Sequence, residues 1–243
     1  MEIQGGDAAS AGARRYLAAR QNVNTGFGYG LGRRTEMLLG MLHRFAEPLP
    51  AKRIDIVDFG CADGSMLRAA ARHLGERIGS GLGLDVFRSG LPAPAEHGET
   101  LGFRQVDLFK SYPYPLAASS CDVAIVSAFL KHHPDPARFC AEIARVLRDG
   151  GIAIVLDPRP LVVRIGMLFG RFNPRYNPSL WSRRSMASLL ADTPLRIEHF
   201  ERYWVAPNHT LHRMGLERWL PQPAIGLLGL HQCMVLRKAE TAG

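Results

Sequence analysis

The sequence lacks a long uninterrupted hydrophobic run. No window of about 18 residues, the length that spans a bilayer, is free of charge and proline, and the best candidates, 152–168 and 224–236, are interrupted or too short. The first residues carry Glu2 and Asp7 and no apolar core, unlike a secretory signal. We therefore expect a cytoplasmic protein, at most peripheral at the inner membrane face.

Cysteine is scarce and scattered. The sequence has four cysteines, without the close-spaced pairs that zinc sites and redox motifs use. They are Cys61, Cys121, Cys140 and Cys233. We expect buried, reduced thiols and no metal site.

Lysine is also rare, whereas arginine is abundant. Lysine supplies four of the 30 basic residues, and the formal net charge is +8. The segment 158–184 contains six arginines and no acid. Such a charge favours an anionic partner without identifying it, although a biased genome also produces an arginine excess.

What the chain does contain is a strand, a glycine turn and a helix in succession. An apolar run from Ile54 ends at Asp58 and Phe59, the turn holds Gly60 and Gly64, and a helix is predicted over Met66–Leu74. This order is typical of the first unit of a nucleotide-binding α/β domain.

Further strands and helices alternate after that unit. Strands are predicted at 78–84, 101–106, 121–127, 152–156 and 231–238, and a helix at 135–147. Asp85 and Asp107 stand at the ends of the second and third strands. The alternation predicts a parallel sheet covered on both faces.

Residues 56–65 resemble the first motif of class I S-adenosylmethionine-dependent methyltransferases, and the later elements follow in that family's order over about residues 54–157. The resemblance implies a Rossmann-like, doubly wound, mostly parallel seven-stranded sheet with helices on both faces. It also implies S-adenosyl-L-methionine as cofactor. The sequence departs from the family at Ala62, where glycine is usual.

The resemblance assigns ten residues to the cofactor. Glycine lets the backbone approach a ligand closely, and the acids at the strand ends suit the ribose hydroxyls (Asp85) and the adenine amino group (Asp107). The set is Asp58, Gly60, Cys61, Ala62, Gly64, Asp85, Val86, Asp107, Leu108 and Ser127. Taken singly, each aspartate could instead cap a turn.

A dinucleotide is the competing ligand, and Asp63 disfavours it. A pyrophosphate needs a free helix N-terminus, and Asp63 places a negative charge there. An NAD-dependent oxidoreductase is therefore the weaker hypothesis.

The loop after the fourth strand carries the candidate catalytic residues. Lys131, His132 and His133 precede Asp135 and Pro136, where many relatives have two histidines before Asp-Pro. Histidine titrates near neutral pH, so His132 or His133 could be the base that an acidic acceptor requires. The alternative is that both line the pocket or cap the helix.

The acceptor is predicted only by class. Residues 1–50 are interpreted as an N-terminal helical lid or substrate segment, and 51–243 as the methyltransferase domain with an Arg-rich insertion at 158–184. The glycine-rich stretch 26–32 could be a closing segment or a flexible connector. Apolar residues among the arginines favour a small-molecule or lipid-like acceptor, including an anionic one, with peripheral contact to an anionic membrane. An RNA acceptor ranks last, and a cofactor-binding module without catalysis remains the alternative to an enzyme.

Overall fold

The structure is a computed structural model, and it describes residues 28–86, 100–168, 180–203 and 229–240. Its helices are α1 (Gly28–Met41), α2 (Ser65–Leu74), α3 (Pro136–Val146), α4 (Pro160–Leu168) and α5 (Arg183–Leu189). Its strands are β1 (Ile54–Phe59), β2 (Ile78–Asp85), β3 (Leu101–Gln105), β4 (Cys121–Ser127), β5 (Leu147–Pro158), β6 (Leu195–Tyr203) and β7 (His231–Lys238). A π-helical turn (Leu42–Ala46) continues α1.

The seven strands form one sheet in the order β3-β2-β1-β4-β5-β7-β6. The neighbours from β3 to β5 pair in parallel, and β7 is antiparallel to both β5 and β6. The fold expected from the resemblance is thus confirmed. Because the chain order reverses between β1 and β4, the carboxyl ends of these two strands flank the crevice in which such sheets bind ligands.

Alternate residues of the central strands enter two separate hydrophobic clusters. On β1, Val57 and Phe59 belong to one cluster together with Phe139 of α3. Ile54 and Ile56 belong to the other, which also holds the apolar stripe of α1. The two-residue period of a strand produces this division, and it explains why β1 and β4 are apolar on both faces.

Several predicted boundaries move. Helix α1 begins at Gly28, so most of the glycine-rich stretch 26–32, interpreted as a closing segment or a flexible connector, is helical. Strand β5 begins at Leu147, directly after α3, because Leu147 already pairs with Cys121 across a bulge. Helix α4 lies within the Arg-rich segment, for which no helix was predicted.

Residues 1–27 of the predicted N-terminal segment and residues 169–179 of the Arg-rich segment lie outside the described residues. Within the described ranges, the helices are too short or too polar to cross a bilayer. The location of the protein in the cell stays a prediction.

Candidate functional site

The turn after β1 is fixed by backbone conformation and by one aromatic ring. Gly60 has a φ of +76°, and its N–H donates to the carbonyl of Leu84 at 2.8 Å. A Cβ on Gly60 would lie 2.7 Å from Cγ of Phe129, which is buried. Glycine is therefore required here by the left-handed backbone and by the ring beneath it, in addition to any ligand above.

Ala62 and Asp85 join this turn to the end of β2. The N–H of Ala62 donates to Oδ2 of Asp85 at 2.8 Å, and Asp85 is only 1% exposed. Ala62 has a φ of +55°, a conformation that glycine adopts without steric cost. The departure from the family pattern thus lies at a position where a side chain strains the backbone.

The N-terminus of α2 is already occupied by a carboxylate. Oδ1 of Asp63 accepts from the N–H of Ser65 at 3.0 Å, and Gly64 precedes the helix with a φ of +75°. The negative charge predicted to oppose a pyrophosphate is therefore in contact with the helix N-terminus. This geometry disfavours a dinucleotide at the turn.

Asp107 and Leu108 shape the turn that follows β3. Oδ1 of Asp107 accepts from the N–H of Phe109 at 3.0 Å, which is the turn-capping role considered as its alternative. The carbonyl of Leu108 accepts from the hydroxyl of Tyr114 at 2.8 Å. A part in binding adenine stays a prediction for both residues.

His133 is a buried structural residue in this geometry. Its Nδ1 accepts from the N–H of Asp135 at 3.1 Å, so Nε2 carries the proton and donates to the carbonyl of Leu108 at 3.1 Å. The hydroxyl of Tyr112 also lies 2.7 Å from Nε2. Burial lowers the pKa of His133 and keeps the imidazole neutral.

His132 has a different environment from its neighbour. It is half-buried at the end of the short 3₁₀ turn Leu130–His132, and its N–H donates to the carbonyl of Phe129 at 2.9 Å. Both ring nitrogens of His133 have hydrogen-bond partners within the protein, and a catalytic role stays a prediction for both histidines.

Lys131 and Asp157 form a buried ion pair that the sequence reading did not identify. Nζ of Lys131 lies 3.6 Å from Oδ1 of Asp157 and donates to the carbonyl of Ala128 at 2.8 Å. Nε1 of Trp181 donates to Oδ2 of Asp157 at 2.9 Å. Burial raises the pKa of Asp157, and the charge of Lys131 opposes that rise. The aspartate after the fifth strand was the signal that could have revealed this pair.

The predicted cofactor residues lie at one edge of the sheet. Asp58, Asp85 and Ser127 stand at the carboxyl ends of β1, β2 and β4, which are parallel. Val86 follows β2, and its carbonyl accepts from the side chain of Gln105 at 2.9 Å. Cys61 is buried within the turn. The residues chosen from the sequence are therefore brought together, while their contacts with a cofactor stay predictions.

Comparison with known proteins connects this arrangement to a family. Residues 57–155 match the family described as "Methyltransferase domain". An uncharacterized 37.1 kDa protein of transposon Tn4556 from Streptomyces fradiae is 31% identical over 102 residues, which are 42% of this chain. The chain spans only 29% of the length of that relative.

Solved structures share the fold at low identity. The YcgJ protein of Bacillus subtilis gives a TM-score of 0.59 at 14% identity, with 85% of this chain and 100% of that chain covered. An S-adenosylmethionine-dependent methyltransferase of Mesorhizobium loti gives 0.56 at 18% identity, covering 81% and 97%. The [4+2]-cyclase SpnF gives 0.56 at 20% identity, covering 86% and 81%.

The cyclase shows that this likeness establishes the fold rather than a reaction. The family match falls on the segment that contains the glycine turn, Asp85, Asp107 and the histidine loop. Residues 57–155 are therefore similar in sequence to methyltransferase domains, and the chain shares its fold with the solved methyltransferase structures.

Proposed function

We propose that the protein transfers a methyl group from S-adenosyl-L-methionine to a small-molecule or lipid-like acceptor, including an anionic one. The observation that carries the proposal is the buried Asp85 carboxylate beside the glycine turn, within the segment that matches methyltransferase domains. Asp58 and Asp85 stand near the carboxyl ends of the adjacent parallel strands β1 and β2, where such sheets bind nucleotides.

The residues around the turn fit this cofactor better than a dinucleotide. The carboxylate of Asp63 occupies the helix N-terminus that a phosphate would need. Asp85 would hold the ribose, Asp107 and Leu108 the adenine, and Asp58 with the Gly60 turn the methionine part. When bound, the cofactor supplies an electrophilic methyl group, so the protein must chiefly hold the acceptor close and in line.

An acceptor that has to lose a proton also needs a base, and we assign that role to His132. His132 is half-buried in the loop that follows β4, whereas His133 is fully buried with both nitrogens in hydrogen bonds. Replacing His132 by alanine should lower turnover by about 10²-fold or more while leaving cofactor binding intact. Full activity in that variant would remove the base.

The cofactor assignment is best tested by isothermal titration with S-adenosylmethionine and S-adenosylhomocysteine. Asp85→Asn keeps an oxygen that can accept from the N–H of Ala62, so the turn is preserved. If Asp85 binds ribose, affinity should fall by about 1 to 3 kcal/mol, which is about 5- to 150-fold. Asp63→Asn is the matched control, since it changes a neighbouring carboxylate and keeps the cap on Ser65.

The outcomes separate the competing functions. Equal affinity in Asp85→Asn and the wild type refutes the ribose role. Binding of NAD in place of both sulfur compounds would support an oxidoreductase. Cofactor binding without turnover on any acceptor, in a protein whose His132 is intact, would support a binding module.

Helix α4 provides the observation that favours a lipid-like acceptor. Leu161, Ile165 and Leu168 are exposed by 56%, 45% and 84%. Their spacing of four and three residues places them on one face of the helix. Arg164 on the same helix is also exposed, and Val163 is buried. An apolar face beside arginines suits shallow binding to an anionic membrane surface.

Vesicle flotation can test this membrane contact. We expect binding to vesicles of phosphatidylglycerol and phosphatidylcholine, and weaker binding to phosphatidylcholine alone. Leu161→Gln with Leu168→Gln should reduce binding about tenfold or more, since each buried leucine contributes about 1.5 kcal/mol or more. Val162→Gln, on another side of α4, is the control. Equal flotation of both variants would refute the contact and favour a soluble acceptor.

A further inference from the structure

A second polar site lies where β6 ends and β7 begins. Tyr203 pairs with His231 in the antiparallel register, and their rings are 5.6 Å apart. Tyr203 is 3% exposed and belongs to the hydrophobic cluster that packs against α1. Because Pro158 at the end of β5 also pairs with His231, this site shares the sheet edge at which the parallel strands end.

Three polar atoms at this place are buried without a hydrogen-bond partner among the described residues. They are the hydroxyl of Tyr203, Nδ1 of His231 and Nε of Arg33. A buried polar group without a partner is unfavourable, and native structures rarely keep several together. Tyr203 and His231 are neighbours, and the charge of Arg33 acts on Tyr203, which indicates that a group outside the described residues satisfies these atoms.

The charge around these atoms is positive. Burial, and then the charges of Arg34 and Lys131, lower the pKa of His231 to about 3, so its imidazole is neutral. Burial raises the pKa of Tyr203, whereas the charges of Arg34 and Arg33 lower it. Burial predominates, so the phenol keeps its proton.

The partner of these atoms should therefore accept hydrogen bonds. Nε of Arg33 can only donate, the hydroxyl of Tyr203 can donate, and a neutral His231 can carry its proton on Nδ1. Arg33 pairs with Glu36 through Nη1, so its Nε takes no part in that ion pair. Asp157, whose charge also acts on Tyr203, has a buried Oδ1 without a hydrogen bond, but this oxygen lies 3.6 Å from Nζ of Lys131, which balances its charge.

We propose that Arg33, Tyr203 and His231 bind an anionic oxygen group, a carboxylate or a phosphate, carried by the methyl acceptor. The proposed methyl transfer is needed only to identify the molecule that carries this group as the methyl acceptor. The binding of the anionic group itself does not depend on it. It assigns substrate recognition to α1, β6 and β7, which lie outside the matched segment 57–155.

The first test compares two buried tyrosines without any ligand. The hydroxyl of Tyr114 donates to the carbonyl of Leu108, and Tyr114 is as buried as Tyr203. Tyr203→Phe removes an unsatisfied group and should raise Tm by about 2 to 4 °C, whereas Tyr114→Phe should lower it. A Tm for Tyr203→Phe that falls like that of Tyr114→Phe would overturn the proposal, because the hydroxyl would then have a structural partner.

The second test uses acetate and inorganic phosphate as probes on protein saturated with S-adenosylhomocysteine, with chloride at equal ionic strength as reference. A probe at about ten times its dissociation constant should raise Tm by about 3 to 6 °C. Arg33→Gln and Tyr203→Phe should lose this response. Arg44→Gln should keep it, since Arg44 is exposed and lies over the ring of Phe45.

Each outcome decides one question. A response to acetate alone assigns a carboxylate, and a response to phosphate alone assigns a phosphate. No response to either probe, or equal loss in Arg44→Gln, overturns the proposal. Failure of S-adenosylhomocysteine to bind at all would instead refute the proposed function, and the anion response of the unsaturated protein would still test this site.

Discussion

The substitution Gly60→Ala tests how the glycine turn is held. The left-handed φ of +76° costs an L-residue about 1 to 2 kcal/mol. The added Cβ would also lie 2.7 Å from Cγ of Phe129, a ring that is 1% exposed and cannot move into solvent. Such overpacking costs about 1 to 3 kcal/mol. The free energy of unfolding should therefore fall by about 2 to 5 kcal/mol.

Gly150→Ala separates the two contributions. Gly150 has nearly the same φ, +74°, but a Cβ there would only reach Oε1 of Glu240 at an ordinary 3.7 Å. Its cost in urea unfolding should be the backbone part alone, about 1 to 2 kcal/mol. The excess cost at Gly60 then measures the clash with Phe129.

A double-mutant cycle with Phe129→Ala completes the test. Removing the ring should reduce the cost of Gly60→Ala to that of Gly150→Ala. Equal costs of Gly60→Ala with and without the ring would refute the packing argument. Titration of S-adenosylhomocysteine into the double variant then reports separately whether a methyl group on residue 60 obstructs the cofactor.

Three further predictions concern stability. Ala62→Gly should raise the free energy of unfolding by about 0.5 to 1 kcal/mol in urea, because φ is +55° there. Lys131→Met should lower it by about 3 to 5 kcal/mol by leaving the Asp157 carboxylate uncompensated, and Asp157→Asn in the same chain should restore most of it. The pKa of His231 is lower in the folded protein than in the unfolded chain, so protonation of His231 favours unfolding. The stabilisation by neutral His231 is therefore present above pH 6.5 and is lost as the pH falls towards 3. Between pH 7 and about pH 5 the loss should be about 2 kcal/mol. Since the raised pKa of Asp157 acts in the opposite direction, the difference between wild type and His231→Gln isolates the histidine, and parallel curves would contradict this assignment.

The central sheet was predictable because its strands are buried on both faces and are therefore largely apolar in sequence. Cys121–Ser127 is buried at every position up to Ser127, and a short apolar run bounded by turns has few other interpretations. The start of α1 was not predictable, because glycine at every second position argues locally against a helix. The packing of the apolar stripe from Met37 onward against the sheet overrides that preference.

The placement of the candidate residues at one edge of the sheet was predictable because each follows a predicted strand. The turn from Gly60 to Gly64 and the acids at the strand ends form a local pattern, and the fold places them at one edge. The hydrogen bond from Ala62 to Asp85, and the ion pair of Lys131 with Asp157, join residues far apart in the chain. Residue type does not specify such partners, and only the position of Asp157 after the predicted strand 152–156 pointed to one of them.

The residues assigned to the cofactor and those proposed for the acceptor lie in different parts of the sequence. The matched segment 57–155 contains every residue assigned to the cofactor. Arg33, Tyr203 and His231 come from helices and strands on either side of it, and only the closing of the sheet by β7 between β5 and β6 brings the last two together. The residues proposed to bind the methyl donor and those proposed to bind the anionic group of the acceptor therefore lie in different parts of the chain. The proposed acceptor therefore has to be tested through the residues of α1, α4, β6 and β7, because the match over 57–155 identifies no acceptor.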